Sequence, residues 1–221
     1  MSAPALPSPP AGTQELFGPA WAQARAYAEL LVTQGVVAGV IGPREIDRVW
    51  DRHIRNSLAV SPYVARDARV VDLGSGAGLP GIPLALARPD LAVTLLEPMA
   101  RRVRFLEMAT GGLEGAVRIR RGRAEDGPGE FDTVVCRAVA PLVRLVPLAY
   151  GLLRHGIGTL VALKGKSAGE EIDVVTNAVS GGARGPGWAP STMTVHDATW
   201  PDPATVIVVT WSGPSRRREP R

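Results

Sequence analysis

The chain holds one cysteine, Cys136, and three histidines, His53, His155 and His196, that lie far apart. A single thiol excludes an internal disulfide framework and a cysteine-rich zinc site, and histidines without ligand spacing argue against a metal centre. Long apolar runs are also missing. Although 45% of the residues are hydrophobic, no stretch approaches the roughly 20 apolar residues of a membrane span. The N-terminus, Met1-Ser-Ala-Pro-Ala-Leu-Pro-Ser-Pro-Pro, has no cationic start and is broken by prolines, so it does not read as a signal peptide. A cytoplasmic protein without membrane contact is expected. Its 221 residues suit one domain with a small extension.

The sequence pI near 9.8 suggests a nucleic-acid footprint until the charges are located. Arg216, Arg217, Arg218 and Arg221 against Glu219 supply +3 of the formal +4, which leaves +1 for the rest. The basic signal is therefore a tail plus two clusters, Arg101/Arg102/Arg104 and Arg118/Arg120/Arg121/Arg123.

Residues 1–12, rich in proline and alanine, read as a disordered leader with too little to bury. Apolar positions at helical spacing then predict a helix over Thr13–Gln34, with Gly35 as its stop. A second helix opens near Pro43 and carries Ile46, Val49, Trp50, Ile54 and Leu58 along one stripe. Together these form a helical cap over residues 13–66. From residue 67 to 212 the pattern becomes strand, helix, strand, helix, which argues a parallel sheet covered on both faces. Strands are predicted at 69–73, 92–97, 117–121, 131–136 and 157–163, and helices at about 80–88, 99–110, 141–154 and 168–179. Ser191–Asp197 and Thr205–Trp211 flank a short Trp-Pro-Asp-Pro connection and predict an antiparallel hairpin added to that sheet. Residues 181–190 read as a loop, and 213–221 as a basic tail.

Val70–Gly81 reads Val-Val-Asp-Leu-Gly-Ser-Gly-Ala-Gly-Leu-Pro-Gly, a strand running into a glycine turn and then a helix. Gly74, Gly76 and Gly78 miss the dinucleotide fingerprint, whose third glycine would fall on Leu79. A pyrophosphate cofactor is disfavoured. S-adenosylmethionine has no phosphate, and its adenosine and methionine ends suit a tight turn of bare backbone. Glu97 ends the next apolar run, where a carboxylate can accept both ribose hydroxyls. Asp72 and Glu97 thus join the glycines at the carboxyl ends of strands, the usual ligand position in open α/β sheets. Arg101 and Arg102 open a helix, an unfavourable place for cations unless something anionic compensates.

The ordered set Asp72-Leu-Gly-Ser-Gly-Ala-Gly-Leu-Pro-Gly, Glu97 with Arg101-Arg102-Val-Arg-Phe-Leu, Arg123-Ala-Glu125, Cys136-Arg-Ala-Val-Ala and Leu163-Lys-Gly resembles the RsmG family, also called glucose-inhibited division protein B. Asp51-Arg-His-Ile-Arg-Asn-Ser-Leu58 matches the family's opening motif as well. The resemblance spans roughly residues 15–212 and is more specific than any one motif. It implies a class I S-adenosylmethionine-dependent methyltransferase, Rossmann-like, acting on N7 of a single guanine in a decoding-centre loop of 16S ribosomal RNA, within the small ribosomal subunit. By resemblance Ala124 and Glu125 hold the adenine, and Leu79 supplies backbone or an apolar wall. Arg137 stands at the cofactor, pairing the methionine carboxylate or gripping substrate. Arg52, His53, Asn56 and Lys164 are RNA-binding candidates.

Cys136 ends an apolar strand and precedes arginine, unlike the loop cysteine after proline of cytosine-C5 methyltransferases, and reads as a buried small residue. The Asn/Asp-Pro-Pro-aromatic signature of exocyclic-amine methyltransferases is absent from the same strand end. Guanine N7 offers a lone pair with no proton to remove, so no general base is required and no catalytic acid or base is assigned. Two other readings stay open from the residues alone: a methyltransferase for a small metabolite, with the cap as a lid, and a nucleotide-binding regulatory domain without catalysis.

Overall fold

The computed structural model describes residues 4–113, 117–127, 129–137, 139–165, 167–181 and 188–213. Residues 182–187 of the expected loop and residues 214–221 of the expected tail lie outside them.

Five parallel strands, β1 (Arg69–Leu73), β2 (Ala92–Glu97), β3 (Val117–Arg121), β4 (Thr133–Arg137) and β5 (Gly158–Lys164), join the hairpin β6 (Thr192–Ala198) and β7 (Ala204–Trp211) in one sheet. The order is β3-β2-β1-β4-β5-β7-β6, with β7 antiparallel to both of its neighbours. The strand order reverses between β1 and β4, which opens a crevice at their carboxyl ends. Side chains alternate between the faces as the two-residue period requires. Val93, Leu95, Val135, Val161 and Leu163 enter one core with the cap. Leu73, Leu96, Val134, Cys136 and Ala162 enter a second core. Helices α3 (Gly81–Ala87) and α4 (Ala100–Ala109) pack on the first face, α5 (Leu142–Leu152) and α6 (Ala168–Ser180) on the second. Side chains such as Phe105, Leu106, Leu142 and Leu145 are fully buried, each stabilising the fold by about 1.5–3 kcal/mol relative to exposure.

The cap is less regular than its apolar spacing predicts. Its first helix breaks at Gly18-Pro19 into α1 (Thr13–Phe17), a 3-10 turn and α2 (Trp21–Leu30). Pro19 has no N–H for a helical bond, and Gly18 sits at φ 47°. The helix then widens into a π-helical turn, Leu31–Gly35, and runs past Gly35, since Ala38 N–H still donates to Gln34 O at 2.8 Å. Its stop is Gly39, at φ 64°. The second cap helix is a 3-10 turn (Pro43–Arg48), a π-helical turn (Val49–Arg55) and a second 3-10 turn (Leu58–Tyr63). The predicted stripe still points inward, with Val49, Trp50, Ile54 and Leu58 buried.

The leader is also tied down over its described part. Trp50 Nε1 donates to Pro7 O at 2.8 Å, Leu6 packs on the core and Thr13 Oγ1 donates to Pro10 O at 2.6 Å. A segment with too little to bury in a core of its own can still lie along a helix that offers donors.

Candidate functional site

The turn after β1 is a knot of backbone bonds. Gly74 N–H and Ser75 N–H both donate to Leu96 O, at 2.9 and 3.1 Å, which pins the turn to the end of β2. Gly74, Gly76 and Gly78 have φ of 70°, 57° and 94°, the left-handed region in which a side chain is strained. Leu79, buried at the exit of the turn, packs in the cap-side core. Glu97 lies 1% exposed at the tip of β2. Its carboxylate accepts from Gly76 N–H at 3.0 Å and from Met99 N–H at 2.9 Å. Arg102 Nη1 stands 3.7 Å away. That carboxylate is the anionic compensation expected for an arginine at this helix start. Two of its roughly four lone-pair positions are thus spoken for by backbone.

Asp72 is fully buried beneath the turn. Its Oδ2 accepts from Gly81 N–H at 3.0 Å, whereas Oδ1 is buried with no hydrogen-bond partner. Burial above all pushes this carboxyl up to about 7, with the charge of Glu97 adding to it and the Gly81 and Ser75 bonds opposing. An orphaned acidic oxygen beside a glycine cradle fits a ligand that brings a cation, and the methionine end of S-adenosylmethionine carries an ammonium and a sulfonium. The residues present therefore fit that cofactor, with Glu97 left free to meet hydroxyls.

The other predicted residues separate into two groups. Arg52, Asn56, Arg137 and Lys164 line a cleft of about 930 Å³ together with Arg48, Asp51 and Asp202. The cleft abuts the glycine turn, because a Cβ on Gly74 would lie 3.0 Å from the Val139 side chain that also lines it. Lys164 is not a free phosphate hook: its Nζ donates to Glu171 Oε2 at 2.7 Å and to Ala140 O at 2.8 Å. His53 is 7% exposed and lies behind the cleft wall against Arg137, with Nδ1 3.0 Å from Arg137 Nη2. Ala124 and Glu125 follow β3, near Glu97 through the Gly122 N–H bond to Glu97 O at 3.3 Å. They line a separate hollow with Arg144, Pro147 and Leu148. Among the described residues no group of histidine, cysteine and carboxylate side chains could hold a metal, and no helix is long and apolar enough to cross a membrane.

Cys136 is 1% exposed, and burial pushes its thiol up to about 12. A thiolate nucleophile is therefore out of reach at neutral pH. Several contributors escape a linear reading. Tyr27 of α2 donates its hydroxyl to Ala77 O at 2.8 Å and so holds the glycine turn to the cap. Glu45, 3.0 Å from Arg52 and 3.1 Å from His53, belongs to the same wall. Glu171 also accepts from Leu142 N–H at 2.6 Å. Tyr27 and Glu171 sit on different elements from the groups they hold, and Glu45 lies a turn or two before Arg52 and His53 on the second cap helix.

The family model for rRNA small subunit methyltransferase G matches residues 20–182. A ribosomal RNA small subunit methyltransferase G from Mycolicibacterium gilvum (strain PYR-GCK) is 44% identical, over 98% of this chain and 95% of the relative. One from Mycolicibacterium paratuberculosis is 53% identical over 76% of this chain and 69% of the relative. Among solved structures, the S-adenosylmethionine-dependent methyltransferase SibL aligns with a TM-score of 0.58 at 19% identity, covering 86% of this chain and 70% of its own. A predicted O-methyltransferase from Agrobacterium tumefaciens gives 0.54 at 17%, covering 73% and 82%. These two speak for the fold alone, which is the Rossmann-like fold of class I methyltransferases. With the glycine turn, the carboxylate at the next strand tip and the cleft beside them, the matches along most of its length establish that the chain belongs to the rRNA small subunit methyltransferase G family.

Proposed function

We propose that this protein transfers the methyl group of S-adenosylmethionine to N7 of a single guanine in 16S ribosomal RNA, in a loop near the decoding centre and with the small ribosomal subunit as the acceptor particle. The observation that carries the RNA reading over a small-metabolite enzyme is the similarity along most of the chain to relatives named ribosomal RNA small subunit methyltransferase G. The cleft of about 930 Å³ next to the glycine turn adds Arg48, Arg52, Arg137 and Lys164, set against Asp51, Glu171 and Asp202. That leaves a small excess of positive charge, with Arg137 outside any carboxylate pair among the described residues, which suits a phosphate oxygen.

Bound S-adenosylmethionine supplies an electrophilic methyl on a sulfonium sulfur. Glu97 would accept from its ribose hydroxyls and Asp72 would face its ammonium. Gly74, Gly76 and Gly78 would let it lie against backbone, with Leu79 supporting the turn and Ala124 and Glu125 bordering the adenine. On the acceptor side N7 would bond the methyl through its own lone pair while the sulfur leaves with the electrons of the S–C bond, so none of these residues would have to remove a proton. What remains is to hold N7 in line with the methyl and to exclude other nucleophiles, which proximity and a fixed electrostatic field achieve. Because N7 faces the deep, narrow major groove of A-form RNA, the base enters from a loop or flipped out of its stack.

The test is transfer of labelled methyl to small subunits from a strain lacking this protein, followed by mass spectrometry of the nucleosides. N7-methylguanosine at one 16S site is expected. Label reaching small molecules but never the particle would leave the fold standing and overturn the substrate.

A further inference from the structure

The cap motif Asp51–Leu58 supplies Arg52 and Asn56 to the cleft but withholds His53, whose ring is buried behind its wall. The two ring nitrogens have different neighbours. Nδ1 lies 3.0 Å from Arg137 Nη2, and Arg137 Nη1 also reaches the His53 carbonyl at 3.4 Å. A guanidinium only donates, so Nδ1 must be the acceptor and the ring proton must sit on Nε2. Nε2 is 3.1 Å from Glu45 Oε2, itself 3.0 Å from Arg52 Nε. Ser57 Oγ donates to the same His53 carbonyl at 2.6 Å and holds that turn of backbone. Burial above all, and then the charge of Arg137, push the imidazole down to about 4, so it stays a neutral acceptor at working pH.

Two of the five N–H donors of Arg137 are thus committed to His53, one to the ring and one to the carbonyl. The remaining three belong to a side chain that lines the cleft between Asn56 and Lys164. Neighbouring Lys164 has its charge answered by Glu171 and Arg52 has its charge answered by Glu45, whereas no carboxylate pairs with Arg137 among the described residues.

We propose that His53 is a positioning residue that fixes the Arg137 guanidinium, through Nδ1 and its own carbonyl, to present its free donors to an acceptor oxygen of the RNA rather than to the cofactor carboxylate. This rests on the RNA-methyltransferase reading above. It also turns His53 from an RNA contact into the support of one.

The test compares His53→Asn, His53→Gln and His53→Leu in steady-state methylation of small subunits, alongside S-adenosylmethionine affinity by calorimetry and urea unfolding. Asparagine carries an amide oxygen near the place of Nδ1, whereas glutamine places its amide near Nε2, so only the first restores the acceptor. The Gln and Leu variants are expected to lose roughly ten- to a hundredfold in kcat/KM for the particle, the cost of a misplaced group. Cofactor Kd should stay within twofold, and Asn should retain most of the activity. Equal losses in Asn and Gln would mean that the ring only packs, and full activity in Leu would mean that Arg137 needs no support. Parallel loss of cofactor affinity would place Arg137 on the cofactor. Each of these overturns the proposal while leaving the functional reading intact. If Leu fails to fold, the Asn and Gln pair still decides. A wild-type protein inactive on small subunits would overturn both.

Discussion

In the proposed cofactor region Asp72 stands apart as an acid placed where ionisation is costly. Its carboxyl is held up to about 7 chiefly by burial. A ligand that sets an ammonium near Oδ1 favours the ionised form, so binding should release a proton near neutrality and the affinity should rise with pH through about 7. Calorimetry in two buffers of different ionisation enthalpy measures this directly. Asp72→Asn should bind S-adenosylmethionine at least roughly tenfold more weakly, with no pH dependence from this site, and wild-type binding without proton release would remove Asp72 from the ammonium. Gly81 secures the same carboxylate from the other side. A Cβ there would lie 2.5 Å from Leu95 Cδ2 and 2.7 Å from Asp72 Oδ2. Gly81→Ala should therefore destabilise the fold by about 1–3 kcal/mol, the range for overpacking, and weaken cofactor binding with it. An unchanged urea midpoint would show that the site relaxes without cost.

The inner strands were readable from the chain because a covered parallel sheet needs short apolar runs bounded by turns, and β1 and β2 begin and end where those runs do, whereas β3, Val-Arg-Ile-Arg-Arg at the sheet edge, was legible from alternation. The start of β4 shifted from residue 131 to Thr133 because Phe131 makes only an isolated bridge to Leu153. The cap resisted the same reading: periodicity near 3.6 does not distinguish an α-helix from a succession of 3-10 and π turns. Within the candidate site, the gathering of Asp72, the three glycines and Glu97 could be read from spacing alone because they stand at adjacent strand ends. Glu171 and Tyr27 could not, since Leu142 and Ala77 are brought to them only by the packing of helices and cap on the sheet, and Glu45 could not because its reach to Arg52 and His53 depends on the 3-10 and π turns between them. Arg55 shows what that packing depends on. Its guanidinium grips Asp202 in a fork, Nε to Oδ2 at 2.7 Å and Nη2 to Oδ1 at 2.9 Å, and also donates to Pro201 O, Thr13 Oγ1 and, in the leader, Ala11 O at 3.4 Å. One buried side chain thus joins the leader, the cap and the β6–β7 connection. Arg55→Ala should cost about 2 kcal/mol, a charge-assisted bond lost at a site where Asp202 keeps some contact with solvent. It should also raise protease sensitivity near residues 10–13 and 200–203. Cleavage unchanged from wild type would show that these segments are held independently.

At the scale of the whole molecule, two buried titrations act on stability with opposite sign. The Asp72 carboxyl is raised to about 7 in the fold against about 3.9 in the unfolded chain. Between those values the native state binds the extra proton, and stability falls as pH rises. The His53 imidazole is lowered to about 4 against about 6.5 unfolded. Between those values the unfolded state binds the extra proton, and stability rises with pH. From about pH 4.5 to 6.5 the two slopes, each near 1.4 kcal/mol per pH unit at full strength, largely cancel. Asp90 and Asp132 are both held low, Asp90 by Arg88 and Asp132 by Arg69, so they contribute stability that is lost only as pH falls through the acid range. Urea unfolding of the wild type should therefore be nearly flat in pH over that window as far as these two groups are concerned. His53→Asn should unmask a stability that declines with rising pH. Asp72→Asn should unmask one that climbs. The double variant should be flat again, because each substitution removes one proton from the balance. Single variants that keep the wild-type slope would mean that neither buried group exchanges its proton on unfolding, and the account of Asp72 as an acid held near neutrality would fall with that result.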